Sequence, residues 1–247
     1  MKVFSFSIYG CNPIYTIGGI KNAKLVADIF PEWKAVFYIA DNVDKEVVNK
    51  IIDLGGLVEL MDSAESFSGM FWRFKAISRA DVDLMEVRDC DSRISERDFF
   101  SIEEFIKSGK QYHILRDHPF GHHHRINGGM WGCKKNEFTG GIDKLINEYL
   151  IKNYSHVFNT DAARYDTIRN ADQVFLADVL YPVFQKDSVV HDEYFKYESH
   201  SKPINHDRRQ NNFAFIGESV DENDIPRGDQ RRDIKRIYEN KLLNNRL

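Results

Sequence analysis

The sequence predicts an α/β fold with a mainly parallel central sheet flanked by helices and a small C-terminal extension. Short apolar runs alternate with segments of helical period through the first third of the chain, and this alternation favours a parallel sheet covered on both faces. Polar side chains follow the predicted strands at their ends, which is where ligands bind in such sheets. With 247 residues, of which 42% are hydrophobic, the chain is long enough to bury a substantial core.

Four strands and three helices are predicted in the first part of the chain. The strands are short and apolar, and glycine, proline or charged residues follow them. The helices are predicted where apolar residues recur with helical spacing ahead of Pro31 and of Gly55. The predicted strands are residues 2–9, 35–40, 57–61 and 84–87, and the predicted helices are residues 22–30, 43–54 and a segment through 71–77.

Beyond Arg93 the pattern is less regular. Asn170 is expected to cap the helix that follows it, and Pro182 to end that helix. A boundary near Asp187 divides the chain into a core of residues 1–186 and an extension of residues 187–247. The later predicted helices are residues 103–107, 142–152, 171–180 and the charged tail 229–247, and the later predicted strands are 111–116, 128–134 and 189–190.

The composition limits which binding partners and which cellular compartment are expected for the protein. The formal net charge is -4 and the pI about 6.1, which gives no general attraction to nucleic acid. Three cysteines without CxxC spacing imply neither a disulfide framework nor a zinc site. No signal-peptide pattern and no long apolar run is present, so a cytoplasmic protein is expected. The basic run at residues 231–236 predicts either peripheral contact with an anionic membrane or a solvated helix.

An acidic pair follows the fourth predicted strand. If the extended conformation continues past Val87, Asp89 and Asp91 point to one side, because side chains alternate along a strand. Two such carboxylates repel unless a cation lies between them, and oxygen ligands suit Mn²⁺ or Mg²⁺. The alternative is an aspartate-rich turn in which each side chain bonds its own backbone.

Cationic side chains accompany this pair. Arg73, Lys75 and Arg88 lie close to it in the sequence and are predicted to bind phosphates of a donor. One or two of them have the alternative role of solvated helix charges. Tyr9 follows the first predicted strand and is expected on the same edge of the sheet, in contact with the donor.

The motifs MFWRF, RDCDSRISER, HILRDHP, INGGMWG and FIGE together resemble a group of bacterial and viral glycosyltransferases of the GT-A type. In that type, the DxD aspartates hold a divalent cation that bridges the donor diphosphate. The resemblance implies Asp89 and Asp91 as ligands and His191 as the third, with His200 and His206 as competing candidates. A structural histidine is the alternative for His191.

The later motifs are similar in order to those of glycosyltransferase family 8, which retains the configuration of the transferred sugar. This resemblance implies that Asp117, Asn127, the pair Asp172-Gln173, His191 and Lys202 line the donor-sugar pocket. Val174 stands where the family has an acidic residue, and Lys202-Pro203 lies farther from His191 than in the family.

A neutral Gln173 beside the sugar suits a retaining reaction in which the leaving phosphate takes the acceptor's proton. An inverting reaction needs a carboxylate base, for which Asp117 and Asp172 are candidates; Asp172 has the alternative role of a helix cap.

Three further positions are assigned to ligand contacts. Gly129 permits close approach of the backbone to the donor. Trp131 offers a face for an acceptor sugar, with a core aromatic as the alternative. His118 is also predicted to contact the acceptor, near the loop of His122 to His124.

Taken together, these features predict a metal-dependent transfer from a nucleotide-sugar donor, expected to be a UDP-sugar, to a glycan or glycolipid acceptor, with no nucleic-acid partner. One alternative is a phosphatase of the DxD type, although Arg93 stands where those enzymes usually have threonine. The other alternative is a non-catalytic domain that binds a sugar nucleotide.

Overall fold

One mixed seven-stranded sheet organises the chain, in a computed structural model that describes residues 1–62, 68–158 and 170–244. All neighbouring strands are parallel except at the sixth strand, which is antiparallel to both of its neighbours. The strands are β1 (Lys2–Ile8), β2 (Trp33–Ala40), β3 (Leu57–Met61), β4 (Leu84–Val87), β5 (Tyr112–Arg116), β6 (Trp131–Lys134) and β7 (Ser188–Asp192). Their order across the sheet is β3-β2-β1-β4-β6-β5-β7.

This topology brings the ends of several strands together. Because β4 and β5 both run antiparallel to β6, the carboxyl ends of β1, β4, β5 and β7 lie at the same end of the sheet as the amino end of β6. Mixed sheets are common among α/β folds. The predicted α/β fold is therefore confirmed.

Helices lie between most of the strands. Two of them begin at capping boxes, in which a side chain and a backbone N–H exchange hydrogen bonds. The helices are α1 (Pro13–Ile29), α2 (Lys45–Asp53), α3 (Gly69–Trp72), α4 (Glu96–Lys107), α5 (Glu137–Gly140), α6 (Ile142–Phe158), α7 (Ala171–Phe175), α8 (Tyr181–Phe184) and α9 (Gln230–Asn244), with a 3₁₀ turn at Lys75–Ser78 and a π-helical turn at Leu176–Leu180.

Helix α1 begins nine residues before the predicted start at residue 22. Asn12 caps it, since its side chain accepts a hydrogen bond from the N–H of Ile14 at 3.1 Å, and Pro13 fits the first turn. The first turns of α1 lack apolar periodicity because they contain small residues where the helix packs closely against another segment. A Cβ on Gly18 would clash with the carbonyl oxygen of Cys90, so α1 packs directly against the turn that carries the acidic pair.

The core lies on both faces of the sheet. In β1, Val3 to Ile8 are all buried or nearly so, as expected for a strand covered by helices on both sides. Phe6 and Phe37 stack with ring centroids 4.8 Å apart. On the other half, Trp131 packs edge-on against Phe74 and Phe184.

The predicted boundary at residue 187 cuts through this sheet. Strand β7 begins at Ser188 and pairs in parallel with β5, so the edge strand and the core form one unit. The tail predicted at 229–247 is observed as α9, which is anchored by buried Ile234; residues 245–247 lie outside the described part. None of the described helices is both long and apolar enough to span a membrane.

Candidate active site

A cleft opens at the carboxyl ends of β1 and β4. Its volume is about 290 Å³, which is near the lower end of the range for small-molecule sites. Ser7 and Tyr9 come from the end of β1, Tyr15 from α1, and Arg73 from the residue after α3. The lining is completed by Asp89, Cys90 and Asp91.

The acidic pair lies in a turn and not in an extended segment. Strand β4 ends at Val87, and Ser92 closes the turn by donating from its N–H and its hydroxyl to the carbonyl of Asp89, at 3.3 and 2.9 Å. The expected extended conformation past Val87 is therefore wrong. Both carboxylates nevertheless line the cleft, because the turn folds back at the end of the strand.

Each carboxylate of the pair accepts a hydrogen bond from another side chain. Asp89 accepts from Nη1 of Arg73 at 2.5 Å, and about 40% of its side chain stays exposed. Asp91 accepts from the hydroxyl of Ser219 at 2.9 Å, while its backbone carbonyl accepts from the N–H of Val220. The C-terminal segment thus holds the turn that carries Asp91.

The charges of the pair act on each other. Burial raises the pKa of Asp91, and the negative charge of Asp89 raises it further. A divalent cation between them would remove this repulsion, so the pair fits such a cation chemically. No set of three histidine, cysteine or acidic side chains within the described residues is placed to hold a metal. Two carboxylates plus substrate phosphates are, however, a usual arrangement for Mg²⁺.

Arg73 joins the acidic pair to the start of α7. Its Nη1 donates to Asp89 and its Nη2 to Asp172 at 2.9 Å, while its backbone N–H donates to the hydroxyl of Ser7. Both ends of its guanidinium are therefore engaged. Burial raises the pKa of Asp172, the charge of Arg73 lowers it and the charge of Asp89 raises it, and the net effect is a raised pKa.

Two glycines let the backbone of the β5–β6 connection approach this cluster. A Cβ on Gly129 would lie under 3.0 Å from Oδ2 of Asp89, and one on Gly128 would lie 2.6 Å from Nη2 of Arg73. The amide of Gln173, oriented to satisfy both of its atoms, donates to the carbonyl of Ile126 at 3.1 Å and accepts from the N–H of Gly128 at 2.7 Å. The structure thus brings together five of the predicted site residues, Arg73, Asp89, Gly129, Asp172 and Gln173, and the predicted Tyr9 and Asp91 line the same cleft.

His191 and Lys202 lie outside the cleft, and His191 belongs to β7. Both ring nitrogens of His191 are occupied, by His113 and by Glu104, each at 2.9 Å. Lys202 pairs with the same Glu104. The expectation that His191 ligates the metal and Lys202 the donor is corrected on this ground, because neither side chain is directed to the cleft.

Arg88 and Lys75 are also outside the lining of the cleft. Arg88 is 1% exposed and donates to Asp98 at 2.9 Å and to Glu86 at 3.2 Å. Lys75 lies in the 3₁₀ turn, where its charge lowers the pKa of Asp143 against the effect of burial. The predicted donor contacts of both residues are corrected: these charges stabilise the fold.

Asp117 is a buried structural anchor and not a base. Both of its oxygens accept from Arg97, at 2.7 and 2.8 Å, and Arg208 pairs with it as well. Burial raises the pKa of Asp117, but the charges of Arg208 and Arg97 outweigh it and lower that pKa to about 2. A carboxylate so stabilised is a poor proton acceptor, so the predicted catalytic role is corrected.

The two predicted acceptor contacts and Asn127 are buried. Trp131 is fully buried in the core, as the alternative prediction of a core aromatic residue has it. His118 is 2% exposed and its Nε2 bonds the carbonyl of Gln230 at the start of α9. Asn127 holds the carbonyls of His122 and His124 through its amide at 3.4 Å. None of the three contacts the cleft.

Four site residues were missed by sequence reasoning, one of which is Cys90, between the two acidic residues. Ser7 looks like an ordinary strand residue, and Tyr15 lies in helical turns that were not predicted. Ser219 is distant in sequence from Asp91, although the FIGE motif just before it was singled out. The position of Ser7 two residues before Tyr9, on the same face of β1 by strand periodicity, was the one signal available.

Comparison with known proteins gives matches in structure alone. No protein-family model matches the chain, and no curated protein sequence matches it. Similar solved structures include the glycosyltransferase GlyE of Streptococcus pneumoniae TIGR4, with 18% identity and a TM-score of 0.46 over 77% of this chain and 45% of GlyE.

Two further structures are similar at the same level. The galactosyltransferase LgtC in complex with donor and acceptor sugar analogs has 15% identity and a TM-score of 0.41, over 74% of this chain and 82% of LgtC. The 4-diphosphocytidyl-2C-methyl-D-erythritol synthase from Anaerococcus prevotii has 12% identity and a TM-score of 0.42, over 69% and 84%. Structures similar to this chain thus include glycosyltransferases and one synthase of another kind.

Proposed function

We propose that the chain is a metal-dependent glycosyltransferase that moves a sugar from a nucleoside diphosphate donor, a UDP-sugar in our reading, to a glycan or glycolipid. The observation that carries the proposal is the placement of Asp89 and Asp91 together inside a cleft at the carboxyl end of β4. The motif resemblance supports the same activity. Mn²⁺ or Mg²⁺ is the implied cofactor.

In this proposal, the residues of the cleft have separate roles in binding the donor. Asp89 and Asp91 would hold the cation, which supplies positive charge to the diphosphate as it leaves. Arg73 fixes the position of Asp89 through the 2.5 Å ion pair. The ring of Tyr9, held edge-on against Trp72 at 6.3 Å, gives the cleft an apolar wall suited to the nucleoside.

Gln173 supports a retaining reaction. Its amide is fixed by the backbone of the β5–β6 connection, and it cannot take a proton as a general base. Asp172 beside it is paired with Arg73, and in this proposal the departing phosphate accepts the proton of the acceptor hydroxyl.

Thermal unfolding with UDP and Mn²⁺, each alone and together, tests the proposal. A ligand at one hundred times its Kd adds about 2.7 kcal/mol, which corresponds to roughly 5–10 °C for a chain of this size. We expect that shift with UDP and Mn²⁺ together and its loss in Asp91→Asn. Asp28→Asn, an exposed aspartate of α1, is the control. An equal shift in Asp91→Asn would count against the acidic pair as the cation site.

A turnover assay separates the alternatives. Slow hydrolysis of a UDP-sugar that depends on Mn²⁺ is expected of a transferase and not of a domain that only binds. Release of phosphate from simple phosphoesters without nucleotide would support the phosphatase instead, in which the first aspartate attacks phosphorus. The ion pair of Asp89 with Arg73 lowers the nucleophilicity of that carboxylate and disfavours this alternative.

A further inference from the structure

Arg93 follows the acidic pair by two residues, and its side chain contacts two separate segments of the chain. Toward the turn, its Nη1 donates to the carbonyls of Cys90 and Ser92 at 2.9 and 3.0 Å. Toward the C-terminal segment, its Nη2 donates to the carbonyl of Asp221 at 3.0 Å and its Nε to the carboxylate of Asp224 at 2.7 Å. All three nitrogens of the guanidinium are therefore engaged, and only 14% of the side chain is exposed.

The contacts with the turn hold the backbone on both sides of Asp91. Four successive carbonyls of the turn accept hydrogen bonds, and two of these carbonyls accept them from Arg93. Because the peptide unit is planar, a bonded carbonyl fixes the orientation of its whole peptide. Arg93 thus helps to set the direction in which the side chain of Asp91 leaves the backbone. The four carbonyls are those of Asp89, Cys90, Asp91 and Ser92.

The contacts with the C-terminal segment hold a loop of residues 219–227, which we call the 219–227 loop. The ends of this loop are bonded to each other, since the N–H of Arg227 donates to the carbonyl of Ser219 at 2.9 Å. The hydroxyl of Ser219 in turn donates to the carboxylate of Asp91 at 2.9 Å. Arg93 therefore holds the middle of a loop whose first residue bonds the acidic pair.

The middle of the 219–227 loop is also bonded to α1. Lys21 donates to the carbonyl of Glu222 at 2.8 Å and to the carboxylate of Asp224 at 2.7 Å. Asp224 has a φ of 66°, a left-handed conformation that few residues other than glycine adopt. Burial raises the pKa of Asp224, but the bonds from Lys21 and Arg93 outweigh burial and lower that pKa. The loop therefore keeps this conformation with the support of two cations.

The acidic turn holds two like charges in one cleft. Burial raises the pKa of Asp91, and the charge of Asp89 raises it further, so the two carboxylates repel each other when no cation lies between them. Other contacts must offset this repulsion for the turn to keep its shape. Arg93 supplies two hydrogen bonds to the backbone of the turn and two to the loop that carries Ser219.

We infer that Arg93 is a positioning residue for the cation site, which fixes the acidic turn and joins it to the 219–227 loop. The inference rests on the proposed function, because the cation is that of the proposed transferase. Without Arg93, the turn would no longer hold Asp89 and Asp91 in place for the cation. A guanidinium suits this role because its planar fork donates in several directions at once, whereas a lysine ammonium is a single point of charge.

Electron paramagnetic resonance of free Mn²⁺, in a titration with UDP present, tests the inference. Arg93→Ala should weaken the binding of Mn²⁺ by about tenfold or more, as expected when a group that orients metal ligands is removed. Arg93→Lys keeps the charge but cannot bond the turn and the loop together, and should recover part of the affinity. Asp224→Asn removes the carboxylate that Arg93 binds in the loop and should weaken Mn²⁺ binding less than Arg93→Ala does.

Two further variants separate this result from general effects. Arg231→Ala breaks a bidentate ion pair with Glu218, at 2.5 and 2.6 Å, whose two members both belong to the C-terminal segment. It should leave the affinity for Mn²⁺ unchanged even if it lowers stability. Asp91→Asn should abolish the binding. All affinities are compared at a temperature at which thermal unfolding shows each variant to be folded.

The failure of the inference is distinguishable from the failure of the proposed function. Unchanged affinity in Arg93→Ala, with binding lost in Asp91→Asn, would overturn the role of Arg93 and leave the cation site intact. An equal loss in Arg93→Ala and Arg231→Ala would also overturn it, since it would show a general effect on the fold. If Arg93→Ala does not fold, unchanged affinity in Asp224→Asn has the same meaning. Binding that Asp91→Asn leaves unchanged, or no binding by the unchanged protein, would contradict the cation site and the role of Arg93 together.

Discussion

At the scale of single residues, close backbone approach decides where the chemistry can occur. Gly129 brings the β5–β6 connection against Asp89, and Gly128 brings it against Arg73 and Asp172. A side chain at Gly129 would displace Asp89, and one at Gly128 would displace Arg73 or Asp172. The glycine pair therefore shapes the site as directly as the acidic residues do.

Gly129→Ala is expected to displace Asp89 and to abolish the stabilisation by UDP with Mn²⁺. The new Cβ would meet both Oδ2 and the backbone nitrogen of Asp89, the latter at 3.0 Å, so a simple rotation of the carboxylate cannot relieve the clash. Gly140→Ala is the matched control, because its Cβ would have only Lys135 nearby, at 3.8 Å. Retention of the metal-dependent thermal shift in Gly129→Ala would contradict this role.

His122 makes the stability depend on pH. Burial lowers its pKa to about 4, and its Nδ1 accepts from the N–H of Asp117, which requires the neutral ring. An unfolded histidine has a pKa near 6.5, so the unfolded state binds the extra proton between about pH 6.5 and 4. Stability present above pH 6.5 is therefore lost as the pH falls through this range, by at most about 3 kcal/mol.

His122→Asn should reduce that loss. The asparagine carbonyl replaces Nδ1 as the acceptor and does not titrate over this range. Urea unfolding at pH 7.0, 5.5 and 4.5 measures the effect, with the exposed His123→Asn as control. A profile as steep in His122→Asn as in the unchanged protein would refute the assignment; the other buried histidines supply the remaining slope.

At the scale of elements, β4 carries an internal charge network. Glu86 is fully buried and contacts Arg88 and His113, and His113 contacts His191 on β7. Burial raises the pKa of Glu86, but its cationic and histidine partners outweigh burial and lower it. The network ties β4, β5 and β7 together across the sheet and fixes the strand from which the acidic pair projects.

Arg88→Ala is expected to destabilise the fold by about 3–5 kcal/mol, because it leaves the buried carboxylates of Glu86 and Asp98 without their cation. Lys24→Ala removes an exposed pair with Asp28, in which the lysine side chain is 63% exposed, and should change stability by less than about 1 kcal/mol. Chemical denaturation of both variants makes the comparison. A loss below 1 kcal/mol for Arg88→Ala would show that the network contributes little.

At the scale of the whole molecule, the C-terminal segment closes on the sheet at two points. Ser219 and Val220 bond Asp91 in the turn after β4. Asp117, after β5, receives Arg208 and the N–H of Ile216. The segment therefore holds two turns at the ends of β4 and β5, one of which carries Asp91, more than ninety residues earlier in sequence.

Ser219→Ala should weaken the binding of Mn²⁺ by about 10–100-fold, the usual cost of removing a hydrogen bond to a metal ligand, with only about 1 kcal/mol lost from stability. Electron paramagnetic resonance of free Mn²⁺ in a titration measures the affinity. Ser199→Ala, at an exposed position, is the control. Unchanged affinity in Ser219→Ala would remove the C-terminal segment from the cation site.

Local sequence patterns predicted the strands and helices more accurately than they predicted the contacts between side chains. Strand β3 was predicted with its observed bounds and β1 to within one residue, because apolar runs bounded by turn residues report burial directly. The start of α1 was missed because Gly18 and Gly19 interrupt its periodicity. The roles of the charged residues were the least predictable. An arginine can bind a ligand or pair with a buried carboxylate, and its neighbours in sequence do not show which of these it does.

By itself, the sequence determined an alternating α/β chain and a cluster of acidic residues at the end of one strand. Such features follow from local periodicity and chain connectivity. Only the tertiary structure decided that Arg73 contacts Asp89 and that Gln173 contacts Gly128. It also decided that Arg88, Asp117 and His191 belong to the buried framework. The physical reason is that the partner of a charge is chosen by long-range packing, through residues as far apart as Asp91 and Ser219.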